Sequence, residues 1–274
     1  MSAVWTIASK EVRDAVRGRW LLLYGVTFAV LALGLSYLGE RNLGSLGFEN
    51  FSRTTASLIN LCLLLVPLIA LSMGAGSIAG EQERGTLPYL LAQPLARWEL
   101  LAGKYAGLVL SISTATIAGF GLAGVFIAFY ASTMDVTTYL LLLGLMLALG
   151  AVMTGIGMVA SVVCNSRAQA LSVALLFWFV AVLFFDLVLI GLVSGASLGG
   201  RGLLAGLLLN PIEIVRVLAI MHLEPDLTVL GPFGSYLMEE LGKGTATAVL
   251  LAALAVWVIA PMAIATWIFS DRRA

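Results

Sequence analysis

Residues 78–104 read IAGEQERGTLPYLLAQPLARWELLAGK, a polar island in an apolar chain. The 27 residues Thr54–Gly80 carry no charge, and neither do the 30 residues Tyr105–Met134. Between them stand Glu81, Glu83, Arg84, Arg97, Glu99 and Lys104, with Pro88 and Pro94. An apolar run of about 18 or more residues without charge suits a bilayer-spanning helix, because about 20 residues cross a hydrocarbon layer roughly 30 Å thick. The quoted stretch is therefore a connection between two spans, and the chain reads as an integral membrane protein.

Composition supports that reading. Of 274 residues, 61% are hydrophobic and 11% charged, against about 25% charged in a soluble domain. The formal net charge is zero, so no bulk field draws the chain to nucleic acid. Cys62 and Cys164 lie in apolar segments and read as small buried hydrophobes, not as a disulfide. The N-terminal charges Lys10, Glu11, Arg13, Asp14, Arg17 and Arg19 precede an apolar span that lacks a small-residue cleavage pattern, which describes an anchor and not a cleaved signal.

Chemistry of its own is not expected in this chain. It has no GxxxxGK[ST] phosphate loop, and Gly242-Lys243-Gly244-Thr245 lacks the upstream glycine frame. The single histidine, His222, beside Met221, is too little for a soft-metal relay. It reads as a residue of the outer loop. No intramembrane acid pair exists. We therefore expect no catalytic residue, no metal and no cofactor.

Six helical spans are expected, at about 20–38, 56–79, 105–130, 138–162, 168–193 and 246–269, in one all-α transmembrane domain covering 1–274. Helices follow because lipid offers backbone groups no partners. Lys10, Arg13, Arg17, Arg19, Arg84, Arg97, Lys104, Arg167, Arg272 and Arg273 fall on one side, ten of the fifteen basic residues. That bias places both termini and the 80–104 loop in the cytoplasm. Residues 1–19 read as a helix along the inner membrane surface, with Trp5, Ala8, Val12, Ala15 and Val16 opposite Lys10, Arg13, Asp14 and Arg17. A merely positive flank that sets topology is the alternative.

The loop 195–245 lies outside the membrane on this plan. LLAGLLLNPIEIVRVLAIMH, at 203–222, is too short to cross once Pro211 interrupts it, and reads as a helix–break–helix pair dipping into the outer leaflet. Glu213 and Arg216 stand i, i+3 on its second half, and with Pro211 they are candidate contacts for an external partner. Asp186, in FWFVAVLFFDLVLIGLV, is an intramembrane carboxylate, expensive at mid-depth. Two readings stand for it: a polar point on a transport path or at a subunit interface, or an anchor nearer the outer headgroups.

Local physics also shapes the opening stretch. Thr86 is a candidate N-cap, Pro88 suits a first turn, and Pro94 stops the helix, with Glu81 and Glu83 near its positive end. Leu87, Leu90 and Leu91 then share one side. They either enter a groove on a soluble partner or fold back onto the membrane interface.

The order E-x-E-x-G-T-L, LL-x-x-P-x-x-R, G-K resembles the first cytoplasmic loop of ABC transporter permeases of the type-2 exporter class. The matching residues are Glu81, Glu83, Gly85, Thr86, Leu87, Pro94, Arg97, Gly103 and Lys104. Pro88 departs from the acidic or polar residue often found there. The resemblance covers the whole chain. It implies six spans, an N-terminal interfacial helix, a cytoplasmic coupling helix that docks on an ATPase subunit, and a re-entrant pair before the last span. Glu81, Glu83, Gly85, Thr86 and Pro94 would shape the docking element, with Leu87, Leu90 and Leu91 as its apolar contact. Arg97 and Lys104 would meet the inner headgroups or the ATPase.

Four further pieces resemble membrane subunits of NosDFY-type ABC transporters, which assist copper-site maturation of nitrous oxide reductase. They are VWTIASKEVRDAVRGRWLL (4–22), ASLINLCLLLVPLIAL (56–71), FDLVLIGLVSG (185–195) and LLLNPIEIVRVL (207–218). That resemblance implies a homodimer in a bacterial or archaeal inner membrane, two ATPase subunits holding ATP and Mg, and a periplasmic repeat protein outside. Lacking a Cys, Met or His cluster, the chain would carry a sulfur species or transmit force sooner than conduct copper. Two rivals are a secondary transporter, for which only Asp186 offers an ion-coupling group, and a membrane anchor that recruits a soluble partner without translocation.

Overall fold

A computed structural model describes residues 3–18, 24–27, 29–31, 34, 49–130, 136–185, 200–223, 234 and 240–271. Regular structure among them is helical throughout. The long elements are α1 (Ala3–Arg17), α2 (Glu49–Glu83), α3 (Leu87–Leu91), α4 (Arg97–Tyr130), α5 (Val136–Val163) and α6 (Arg167–Phe179), which runs on into a wider π turn at Val180–Phe184. They are followed by α7 (Gly200–Leu208), α8 (Pro211–Leu223) and α9 (Lys243–Asp271).

Five helical stretches are long and apolar enough to cross a bilayer: Ile59–Glu83, Arg97–Val125, Val136–Val163, Arg167–Phe184 and Lys243–Asp271. The expected first span at 20–38 falls mostly outside the described residues, as does Asp186. Tyr24 is one described residue of that span. It is buried in the main core, its hydroxyl 3.4 Å from Thr116 Oγ1 on α4. Helix α4 begins two turns before the expected start at Tyr105, because the charged residues ahead of that span are held by other helices.

Helix α5 is the axis of the bundle, packed against α2, α4, α6, α8 and α9. Its fully buried Leu142, Met146, Leu149 and Met153 recur at spacings of four, three and four, one continuous helical stripe. Helices in lipid gain little from apolar burial against each other and associate through close backbone packing. The α2–α5 crossing uses that rule. A Cβ on Gly157 would lie 2.5 Å from the Leu71 carbonyl oxygen, and one on Gly74 would collide with the Thr154 carbonyl. Just beyond the crossing, Ser161 Oγ of α5 accepts hydrogen bonds from the Ile78 and Ala79 amides of α2, at 2.9 and 2.8 Å.

At the opposite end, the pair Gly202–Leu208 and Pro211–Leu223 is bent by 112°. Pro211 opens α8, where its missing N–H is no loss. Asn210, buried in the break, accepts from the Ile212 amide at 3.0 Å and donates to the Ala181 carbonyl at 2.7 Å. Ala181 lies in the π turn of α6, where the regular i to i−4 ladder is interrupted. Trp257 Nε1 of α9 donates to the Leu208 carbonyl at 3.0 Å. The bent pair is thus fastened on two sides. Glu213 pairs with Arg216 at 2.9 Å, but Pro211 and Glu213 are buried. Of the three residues expected to meet an external partner, Pro211 and Glu213 are packed within the chain and Arg216 is in part accessible.

Candidate functional site

The polar island leaves α2 through Gly85, whose φ of 70° is a left-handed turn that glycine enters without strain. The turn closes on one carbonyl. Thr86 donates its amide to the Glu81 oxygen at 2.9 Å and its hydroxyl to the same oxygen at 3.2 Å. Thr86 therefore does not cap α3 with its side chain. Thr86 occupies the N-cap position of α3 as expected, but its hydroxyl is already engaged by the end of α2. Pro88 sits in the first turn of α3 as expected, and a turn through Pro94 leads to α4. Glu99 Oε2 accepts from the Ala96 amide at 2.9 Å, the half of a capping box that orders the start of α4. Sequence reasoning passed over Glu99, although a glutamate three residues past a helix boundary is its usual signature.

The five-residue α3 is amphipathic, but its leucines turn inward. Leu87, Leu90 and Leu91 pack with Ile7 and Tyr105 against a cluster of Ile78, Leu100, Leu101, Met158, Val162, Ala265 and Phe269. All three are partly buried, so the bundle's own end, where α2, α4, α5 and α9 supply a near apolar surface, takes up part of the apolar face expected to meet a partner. The outward face carries Pro88, Ala92 and Gln93, with Tyr89 77% exposed; Trp98, on the first turn of α4, is 56% exposed.

The charged residues tie this segment to its surroundings. Lys104 Nζ lies 2.6 Å from Glu11 Oε1 of α1 and 2.7 Å from Glu81 Oε1 at the end of α2, its side chain only 3% exposed. Lys104 is therefore not at the headgroups. A buried ammonium is tolerable only with close carboxylates, and two are present. Glu81 does not attend the start of α3 either, since Lys104 holds it. Glu83 Oε2 accepts from the Arg167 amide at 2.8 Å, so the helix N-terminus it serves is that of α6. There Ser166 Oγ also caps, accepting from the Gln169 amide. Arg97 Nη1 donates to the Phe269 and Ser270 carbonyls at 3.0 and 3.2 Å, a cation at the negative end of α9. In each case the true partner lies 84 to 173 residues away, or 23 and 93 for Lys104.

One end of the bundle thus gathers α1, the end of α2, α3, the start of α4, the end of α5, the start of α6 and the end of α9. What it presents outward is a short rigid helix whose exposed face is aromatic and proline-bounded. His222 lies at the other end of α8 from Asn210, its Nδ1 2.7 Å from the Leu218 carbonyl of its own helix.

The family described as ABC-2 family transporter protein matches residues 5–273. A probable ABC transporter permease protein NosY of Stutzerimonas stutzeri is 37% identical over 280 residues, covering 99% of each chain. The protein of the same name from Pseudomonas aeruginosa matches with the same identity and coverage.

Proposed function

The chain belongs to the ABC-2 transporter family as an ABC transporter permease, and we propose that α3 is the element through which ATP hydrolysis on a separate subunit moves it. The observation that carries this reading is the placement of α3. Its leucines lean, partly buried, on the bundle, its exposed face is Pro88 and Tyr89, and its flanks are bonded to α1, α6 and α9. A push on Tyr89 therefore reaches every helix that ends there.

On this reading the loop end faces the cytoplasm, in keeping with the lysine and arginine bias, and the cell membrane is a bacterial inner membrane. Two copies of the chain stand over two ATPase subunits, which hold the ATP and Mg. The bent α7–α8 pair is re-entrant from the outer face, where a periplasmic repeat protein would be met. The transporter acts in maturation of the copper site of nitrous oxide reductase, a reading that likeness to the NosY proteins supports. The cargo is a sulfur species, or force passed to the periplasmic protein, since His222 stands apart from any sulfur ligand cluster in the sequence. Stoichiometric, tight copper binding by the purified chain would contradict that assignment of cargo.

Affinity purification of the tagged chain, co-expressed with an ABC ATPase subunit from the same genome, tests the docking reading. Tyr89→Asp places a charge on the exposed face and is expected to reduce the recovered ATPase at least about tenfold, since interface aromatics dominate binding, while the permease itself remains folded. Undiminished recovery contradicts the assignment. Leu90→Asp is no substitute for this variant, because it buries a carboxylate among Leu100, Leu101 and Phe269 and damages the permease first.

A further inference from the structure

Helix α1 lies in a groove made by two glycines of α4. A Cβ on Gly103 would stand 2.7 Å from Ile7 Cβ, and one on Gly107 2.6 Å from Glu11 Cβ and 2.7 Å from the Ala8 carbonyl. Ala8 is 1% exposed at this contact. The close approach carries Glu11 to Lys104, and Lys104 also holds Glu81. Glu81 in turn anchors the turn into α3, its carbonyl receiving both donors of Thr86. An unbroken chain of short polar contacts therefore runs from α1 through Glu11, Lys104, Glu81 and Thr86 to α3. One ammonium serves two carboxylates, and Glu81 Oε2 is buried with no hydrogen-bond partner among the described residues.

We infer that Lys104 is a positioning residue that locks α1 to α3, so that α1 moves with α3 as one lever. Its use in coupling rests on the function proposed above; the lock itself does not. The physics makes the lock recognisable. Removing either carboxylate leaves a balanced buried pair, whereas removing both strands the ammonium, and removing the ammonium alone leaves two carboxylates face to face. A shared cation therefore predicts strong non-additivity, which two independent pairs would not show. Glu11→Gln and Glu81→Gln alone are expected to yield folded protein. The double variant is expected to be lost from the membrane fraction, and adding Lys104→Met is expected to restore it. Additive losses, or a double variant indifferent to Lys104→Met, would overturn the inference.

The restored triple variant then separates a lock from a mere filling of space. Amide exchange of the full purified chain is expected to rise at least about tenfold in both 3–17 and 81–92, with α5 unchanged, because the two segments now open independently of the bundle. A rise in one segment only, or in neither, overturns the lock. In complex with the partner ATPase, the triple variant is expected to lose the stimulation of ATP hydrolysis that the wild-type chain gives. Wild-type stimulation with both segments loosened overturns the role in coupling. If the wild-type chain gives no stimulation, the function proposed above fails, and the exchange result alone decides whether Lys104 joins α1 to α3.

Discussion

At the scale of single residues, the same residue type does opposite things in one helix. Gly157 and Gly144 both belong to α5. A Cβ on Gly157 meets the backbone of α2 at Leu71, Ala75 and Gly74, while Gly144 has nothing within 4 Å. Forcing atoms into a packed contact costs roughly 1–3 kcal/mol, and here the obstacle is backbone that cannot swing aside. Gly157→Ala is thus expected to lower the unfolding midpoint of the purified protein by several degrees. Gly144→Ala is expected to hold or raise it, since alanine in a helix is favoured by roughly 0.5–1 kcal/mol over glycine. Thermal unfolding of both variants in one detergent decides the point. The sequence did not separate these glycines, because 29 are present and only the α2–α5 crossing distinguishes them. The charged residues teach the same lesson. Glu81 and Glu83 read as serving the nearby α3, and Arg97 and Lys104 as meeting the headgroups or the ATPase, yet folding pairs Glu81 with Lys104, Glu83 with the start of α6 and Arg97 with the end of α9.

Among elements, periodicity was legible wherever the environment was uniform. The apolar runs became α2, α4, α5, α6 and α9, and Pro211 marked the break between α7 and α8. What periodicity missed was direction. On α1 it set Trp5 and Val16, 54% and 51% exposed, on the membrane side, but it did not mark the side packed on α4, which runs through Ile7, Ala8 and Glu11. The groove at Gly103 and Gly107 and the buried ammonium of Lys104 decide that rotation, and neither lies in α1. The α7–α8 bend depends on a similar remote contact. Asn210→Ala removes a donor to the Ala181 carbonyl and an acceptor for the Ile212 amide, both buried. Unsatisfied buried groups cost about 1–3 kcal/mol each. The variant is expected to lose stability in equilibrium unfolding by about that amount or more, and Asn210→Asp, which keeps the acceptor but sets a buried carboxylate against the Ala181 carbonyl, should lose at least as much. A smaller loss in Asn210→Asp than in Asn210→Ala would mean that the link to the Ala181 carbonyl contributes little.

For the whole molecule, the charge pattern of 78–104 carried further than any other signal. It marked a polar connection, and composition on either side fixed a multi-span helical chain that membership of the ABC-2 transporter family then confirmed. The face that α3 shows to the outside was not legible. Three leucines on a short connecting helix look like a partner's contact until the ends of α2, α4, α5 and α9 come together beneath them. The account therefore stands on Tyr89 facing the ATPase and Leu90 facing the bundle. Photo-crosslinking tests this most directly, with one light-activated residue introduced at position 89 or at position 90 in the assembled complex. Position 89 is predicted to give an adduct with the ATPase, and position 90 an adduct within the permease chain. An ATPase adduct from position 90 with none from position 89 would contradict the account.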